Sequence, residues 1–381
     1  MKKFVLTTAA LFALFAVTGC NADNKDTASS SSSAATSESS AATSSSSSSE
    51  AAQVEIADGS STDTPPAEGT VYMRQLLTAP HGTKSFAVVN VLMNGDKIMD
   101  VQMDEFQYVS PDDFTGVPNS DGAFGENYPT DTVLSSKREN DKAYSAMMAD
   151  KGGATQTWSE SMDAIISFAR EKTAAELEDT VADLDKLGED DSPADVVTGA
   201  TFSDTSGYLQ AIIDAATKGM ITKGVETKDT EFTSAQVLGA PHGDKSFSVT
   251  TVALDGDKLA AVAVDEFQYV DPSDFGGVPN SDADFGADVQ DGLALSSKQA
   301  NNEAYSAMMA DKGGATNEYS SNMAAVADFA LGKSVVELES AVKELDALGE
   351  DDSPADVVTG ATFSDTSGYL QAIIDAMKAA K

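Results

Sequence analysis

Apolar positions alternate early in the stretch that begins near Val71. Ala87, Val89, Val91 and Met93 share one face of Phe86 to Met93, and Met99, Val101 and Met103 share a face of the next run. This period of two marks strands that turn one side to a core. Asn94-Gly95 between the runs predicts a tight hairpin turn, as does Asp255-Gly256 further along. Pro111 to Pro129, rich in Pro, Gly, Asn and Asp, reads as a long ordered loop. Beyond it the period becomes helical. Asp141 to Lys151 stops at Gly152-Gly153, Ser159 to Arg170 carries Met162, Ile165, Ile166 and Ala169, and Ala174 to Leu187 carries Leu177, Val181 and Leu184. A fourth helix, Asp204 to Ala216, aligns Leu209, Ile212 and Ile213, with Asp204, Thr205 or Ser206 as its N-cap. The expected class is α+β, an antiparallel sheet covered by helices.

The chain then repeats itself without a gap, so that Tyr108 recurs as Tyr269, 161 positions later. Ala79-Pro80-His81-Gly82 returns at Ala240 to Gly243, Ala143 to Thr155 at Ala304 to Thr316, and Leu187 to Ala215 at Leu348 to Ala376. Two tandem domains are expected, at 71–219 and 232–381, with a short polar join at 220–231. Each is long enough to bury its own core.

Residues 1–19 have the form of a signal peptide: Lys2 and Lys3 precede an apolar run too short for a permanent membrane span. The run ends in Val17-Thr18-Gly19-Cys20, which resembles a lipobox, so Cys20 is the expected lipidation site and would hold the protein on the outer face of the cell membrane. Each buried methylene of such an anchor contributes about 0.8 kcal/mol. An ordinary cleavage site followed by an unmodified thiol is the other reading. Residues 20–66, dominated by Ser, Ala, Thr, Asp and Glu, lack apolar periodicity and are expected to be a disordered tether. A flexible chain of that length spans roughly 35–40 Å.

Composition narrows the chemistry. Cys20 is the only cysteine, so the sequence offers no internal disulfide and no iron–sulfur or haem attachment site. His81 and His242 are the only histidines, which argues against a multi-histidine metal centre. The formal net charge of −38 disfavours nucleic acid and anionic lipid. No catalytic triad, phosphate-binding glycine loop or EF-hand spacing is present, and Ser135-Ser136-Lys137 and Ser296-Ser297-Lys298 lack the partners of a nucleophilic serine.

The most distinctive segment is Asp195-Val196-Val197-Thr198-Gly199-Ala200-Thr201, repeated as Asp356-Val357-Val358-Thr359-Gly360-Ala361-Thr362. It ends in a turn just ahead of a helix, where free amides and the helix dipole favour phosphate. The pattern Asp-x-x-Ser/Thr-Gly-Ala-Ser/Thr resembles the flavinylation motif of FMN-binding domains. The resemblance implies two covalent FMN groups, joined by a flavin transferase through phosphoester bonds to Thr201 and Thr362. It also implies that Asp195 and Asp356 serve transferase recognition or phosphate-side metal binding, and that Gly199 and Gly360 keep the turn open. With the lipobox and tether, nearly the whole chain is similar to the pheromone-encoding lipoproteins of Gram-positive bacteria that act as extracellular electron-transfer flavoproteins. That similarity implies a membrane quinone and NADH dehydrogenase system as donor and ferric iron or other external acceptors, with an electron carrier rather than a classical enzyme between them. The end of the signal, Leu11 to Gly19, resembles peptides released as pheromones.

Other residues leave alternatives open. Phe106, Tyr108, Phe267 and Tyr269 suit either a core or stacking on the isoalloxazine ring. His81 and His242 suit loop structure or proton transfer. Asp104-Glu105, Asp265-Glu266 and Asp112-Asp113 suit solvated charge or a cation site. A different class of function, an acidic surface lipoprotein that binds a cell-wall component, cation or solute without redox chemistry, fits the same composition.

Overall fold

The computed structural model describes residues 54–381 except Asp58, Glu189 and Glu350. The signal peptide, Cys20 and most of the tether lie outside the described residues. The strands are β1 (Thr70–Thr78), β2 (Ser85–Asn94), β3 (Lys97–Val109), β4 (Val133–Ser136), β5 (Met220–Glu226), β6 (Thr233–Gly239), β7 (Ser246–Asp255), β8 (Lys258–Val270) and β9 (Ala294–Ser297). The helices are α1 (Asp141–Gly152), α2 (Trp158–Ala169), α3 (Ala174–Leu184), α4 (Thr205–Lys218), α5 (Asn302–Gly313), α6 (Tyr319–Ala330), α7 (Val335–Asp346) and α8 (Thr366–Ala379). The protein is α+β, with two antiparallel sheets in the orders β4-β3-β2-β1-β5 and β6-β7-β8-β9.

Local chemistry explains the helix ends. Thr157 and Glu160 form a reciprocal capping box at the start of α2, as do Thr173 and Glu176 at α3. Gly153, at φ 68°, closes α1 in the left-handed conformation that glycine tolerates. The β2–β3 hairpin turns on Gly95 and Asp96, since Asn94 pairs with Lys97. This is one residue beyond the expected Asn94-Gly95, and the positive φ of Gly95 at the first central position is the type II′ pattern. Asp255 pairs with Lys258 in the same way, which moves the second turn to Gly256 and Asp257.

The strands are buried on both sides, which simple alternation does not predict. Ala87, Val89, Val91, Met93, Val101 and Met103 face α1–α4, as expected. A register shift between Leu92 and Met93 puts Ile98 on that face and sends Met99 to the other, against the expected grouping of Met99 with Val101. The opposite faces of the two sheets pack together. Phe86 meets Phe267 and Phe106 meets Phe247 at centroid distances of 5.7 and 5.6 Å, and the Tyr108 and Tyr269 hydroxyls hydrogen-bond across the interface. Helices α5–α8 cover the far side of the second sheet, so the layers run helix, sheet, sheet, helix within one compact unit.

Two segments lie differently from the sequence expectation. The stretch expected as a polar join contains β5, which pairs with β1 and passes so close to β8 that a Cβ on Gly224 would sit 2.4 Å from the Ala260 carbonyl oxygen. The end of the expected tether runs along the folded unit: Ala57 N–H donates to Gly277 O, Gly277 N–H to Glu55 O, and Ser61 N–H to Lys218 O. Backbone pairing of this kind needs no apolar periodicity.

Buried acids lie between the sheets. Asp104 accepts from the Ser136 hydroxyl at 2.5 Å, and Asp265 accepts from Ser297 and from the Gln75 amide, at 2.7 and 2.8 Å. Burial, partly offset by these donors, raises Asp265 from 3.8 to about 6. The folded state thus holds this proton more tightly than the unfolded chain, so stability is lost as pH rises from about 4 through about 6. The loss is on the order of 3 kcal/mol. Urea midpoints measured across that range should fall less steeply for Asp265→Asn than for the wild type, and parallel curves would exclude the effect.

Candidate functional site

Each Asp-x-x-Thr-Gly-Ala-Thr segment links the third helix of a half to the fourth. Ser192 opens a single 3-10 turn, Pro193–Asp195, and the Asp195 carboxylate accepts the Ser192 N–H at 3.3 Å. Asp356 does the same with Ser353 at 3.1 Å. Ala200 N–H then donates to Val197 O and Ala361 N–H to Val358 O, both at 2.9 Å. The third residue of each turn is the motif glycine, at φ 89° for Gly199 and 93° for Gly360, where a type II turn demands positive φ. A Cβ there would also stand 3.1 Å from Ala164 Cβ or 3.2 Å from Ala325 Cβ. Glycine is therefore needed for conformation and for close approach to α2 and α6.

Val197, Ala200, Val358 and Ala361 anchor the turns in the core, while Thr201 and Thr362 emerge exposed. The hydroxyl of Thr201 lies 2.7 Å from that of Ser161. In the second half, Asn322 Oδ1 accepts from both the amide and the hydroxyl of Thr362, at 2.6 and 3.0 Å.

Thr362 stands on a cleft of about 480 Å³, walled by Tyr305, Met309, Tyr319, Phe363 and Tyr369 and edged by His242 and Asp365. That volume and lining fall in the range of small-molecule sites. The rings form a ladder: Tyr305 to Tyr319 at 5.2 Å, Tyr319 to Phe363 at 5.6 Å and Phe363 to Tyr369 at 5.9 Å. The first half places Trp158, Phe202 and Tyr208 in corresponding contacts, at 6.5 and 5.3 Å. Asp356 does not line the cleft, so the structure brings Thr362 to it but leaves the motif acid at the turn behind.

At the rim, His242 Nδ1 lies 2.6 Å from Asp365 and His81 Nδ1 lies 2.7 Å from Asp204. These acids occupy the N-cap positions of α8 and α4, as expected for Asp204, yet neither side chain caps its helix. The first-turn amides keep no side-chain cap. The hydrogen bond from His242, working against partial burial, holds Asp365 below the usual carboxylate range.

A buried polar cluster lies beneath the cleft and at the corresponding place in the first half. Glu105 accepts from the Tyr208 and Ser85 hydroxyls at 2.7 and 2.6 Å and pairs with Lys137 at 2.8 Å. Glu266 repeats this with Tyr369 at 2.6 Å, Ser246, and Lys298 at 3.0 Å. Burial and the adjacent glutamates push Tyr208 and Tyr369 well above the ordinary phenol range, which keeps both as neutral donors. Lys137 and Lys298 each stand 4.7 Å from a tyrosine centroid, Tyr144 and Tyr305.

Three readings left open by the sequence are decided here, and the one overturned is solvated charge at the two Asp-Glu pairs. Phe106, Tyr108, Phe267 and Tyr269 pack between the sheets, not at the clefts, because they lie on the strand faces opposite the helices. Asp104-Glu105 and Asp265-Glu266 are buried and hydrogen-bonded instead of solvated. Asp112 and Asp113 are exposed, and no metal-binding cluster occurs among the described residues. The wall residues Tyr144, Trp158, Phe202, Tyr208 and their counterparts were missed as site residues. The available signal was the aromatic that directly follows each motif threonine.

The residues present fit a planar aromatic group with a phosphate tail. Besides the aromatic wall and the exposed hydroxyl, Trp158 Nε1 is buried without a hydrogen-bond partner among the described residues. Tyr319, at the corresponding position, has its hydroxyl buried beside that of Tyr369 without a well-aligned hydrogen bond to it. Buried donors left unpaired are rare and costly, and these two are open to an acceptor from water or from a bound group. Compared with known proteins, the chain matches no family model, no curated protein and no solved structure.

Proposed function

We propose that the protein is an electron-transfer flavoprotein of the outer cell surface, held by lipid on Cys20 and carrying FMN esterified to Thr201 and to Thr362. The observation that carries this reading is the exposed Thr362 hydroxyl beside an aromatic cleft of about 480 Å³. FMN, when bound, supplies one- and two-electron redox chemistry. The chain's own part is to hold and shield it. Thr201 and Thr362 would provide the ester oxygens, which hydrogen bonds to the buried Ser161 and Asn322 hold in place before attachment. Uncapped amides at the start of α4 and α8 favour the phosphate charge. Half-buried Phe202 and Phe363 offer faces to a flat ring system, backed by the buried Trp158, Tyr319 and Tyr305. His81 and His242 sit where a proton can be exchanged with solvent.

Covalent attachment has a clear advantage outside the cell, because a cofactor held only by its dissociation constant is lost on dilution. On this reading a flavin transferase loads the protein, a membrane quinone and NADH dehydrogenase system reduces it, and ferric iron or another external acceptor oxidises it. The protein purified from a host that has the transferase should stay yellow after denaturation and removal of small molecules. Colourless protein would exclude the proposal.

A further inference from the structure

Each candidate site depends on a loop that joins the first two strands of its half, residues 79–84 or 240–245, and these loops carry His81 and His242. Neither loop is held by its own half alone. The Asn119 side-chain amide, in the long loop after β3, donates to the carbonyls of Gly243 and Ser246 at 2.8 and 2.7 Å. Asn280, in the loop after β8, donates to those of Gly82 and Ser85 at 2.9 and 2.7 Å. Backbone bonds run alongside: Phe124 N–H to Asp244 O at 3.0 Å, and Phe285 N–H to Thr83 O at 2.8 Å. The Thr83 hydroxyl adds a bond to Asp284 at 2.8 Å.

These contacts fall on the residues that directly follow each histidine, Gly243 to Ser246 and Gly82 to Ser85. Both asparagines adopt positive φ, 65° and 68°, a conformation that only glycine, Asn and Asp enter with ease. An amide is the group the geometry needs, because it brings two donors to two carbonyls. The long loops after β3 and β8 thus have a specific task beyond connecting strands.

We infer that each half of the molecule completes the other half's site: Asn119 positions the loop that sets His242 against Asp365, and Asn280 positions the loop that sets His81 against Asp204. Both are positioning residues, acting through the loop backbone without touching the cleft. The inference deepens the proposed function, since it makes the two cofactor sites structurally interdependent, but its geometry stands without any cofactor.

The full-length folded protein without flavin tests it. With two histidines in the chain, the ring Hε1 proton gives one NMR signal for each, assigned by single His→Asn replacements. Asn119→Asp replaces the two donors with an acceptor carboxylate that repels both carbonyl oxygens, and Asn119→Gly keeps the positive φ while removing the amide. Both variants should shift the His242 signal and leave His81 unmoved; Asn280→Asp and Asn280→Gly should do the reverse. If a folded Asn119 variant moves His81 as much as His242, or leaves His242 where it was, the inference is wrong. If Asn119→Asp does not fold, the glycine variant decides by the same criterion. Loss of the flavin reading would leave this result standing, and the converse holds too.

Discussion

Lys137→Met should destabilise the folded unit by about 3–5 kcal/mol, because it leaves Glu105 buried and without its counter-charge. Lys137 and Glu105 are both excluded from solvent and lie 2.8 Å apart. Burial works against the lysine charge, yet Glu105 beside it raises Lys137 above its ordinary value, so the lysine keeps its charge in the pair. Methionine matches the stem of lysine in length and removes the ammonium together with its contact to the Tyr144 ring, so the charge is what is lost. Adding Glu105→Gln should restore most of the loss, since the glutamine oxygen can still accept from Tyr208 while its amide nitrogen donates to the Ser85 hydroxyl, and no charge is buried. Chemical denaturation of the two single variants and the double variant measures this coupling. Equal losses for Lys137→Met and the double variant would show that packing, not charge, holds this floor together.

The second large effect concerns the motif threonines. Thr201→Val alone should remove one flavin and Thr362→Val the other, and the double variant should carry neither, a complete loss read by absorbance of the denatured protein. Valine preserves shape and lacks only the hydroxyl that would form the ester. Both side chains are exposed, so little else should change. The hydroxyls accept no buried responsibility: Thr201 Oγ1 meets Ser161 and Thr362 Oγ1 meets Asn322, each of which retains another partner, Gln156 or the Glu318 carbonyl. Full flavin content in a folded double variant would place the attachment elsewhere.

Much of this was legible in the sequence, and the parts that were not have physical reasons. The helices α1–α4 begin and end within about three residues of their expected bounds, because amphipathic spacing, capping boxes and Gly153 are local signals. The strands β1, β4 and β5 were not foreseen. β1 is buried along nearly its whole length, and β5 carries Lys223 and Gly224, so neither shows a clean alternation. Met99 was assigned to the wrong face because a bulge changes parity without changing composition. At the site, the motif identified the turn, the glycine geometry and the exposed threonines. The cleft walls were hidden, since Tyr144 and Trp158 look like ordinary members of helical stripes. The cross-half braces were beyond reach, because Asn119 and Asn280 bind backbone carbonyls, which every residue has.

The central claim is a covalent bond at two named oxygens. Peptide mapping by mass spectrometry of the mature protein, taken from the surface of the cells that make it, tests that bond directly. The account predicts that the peptides containing Thr201 and Thr362 each carry the mass of one esterified FMN. Both peptides at their unmodified mass, in protein from cells that possess the transferase, would contradict it.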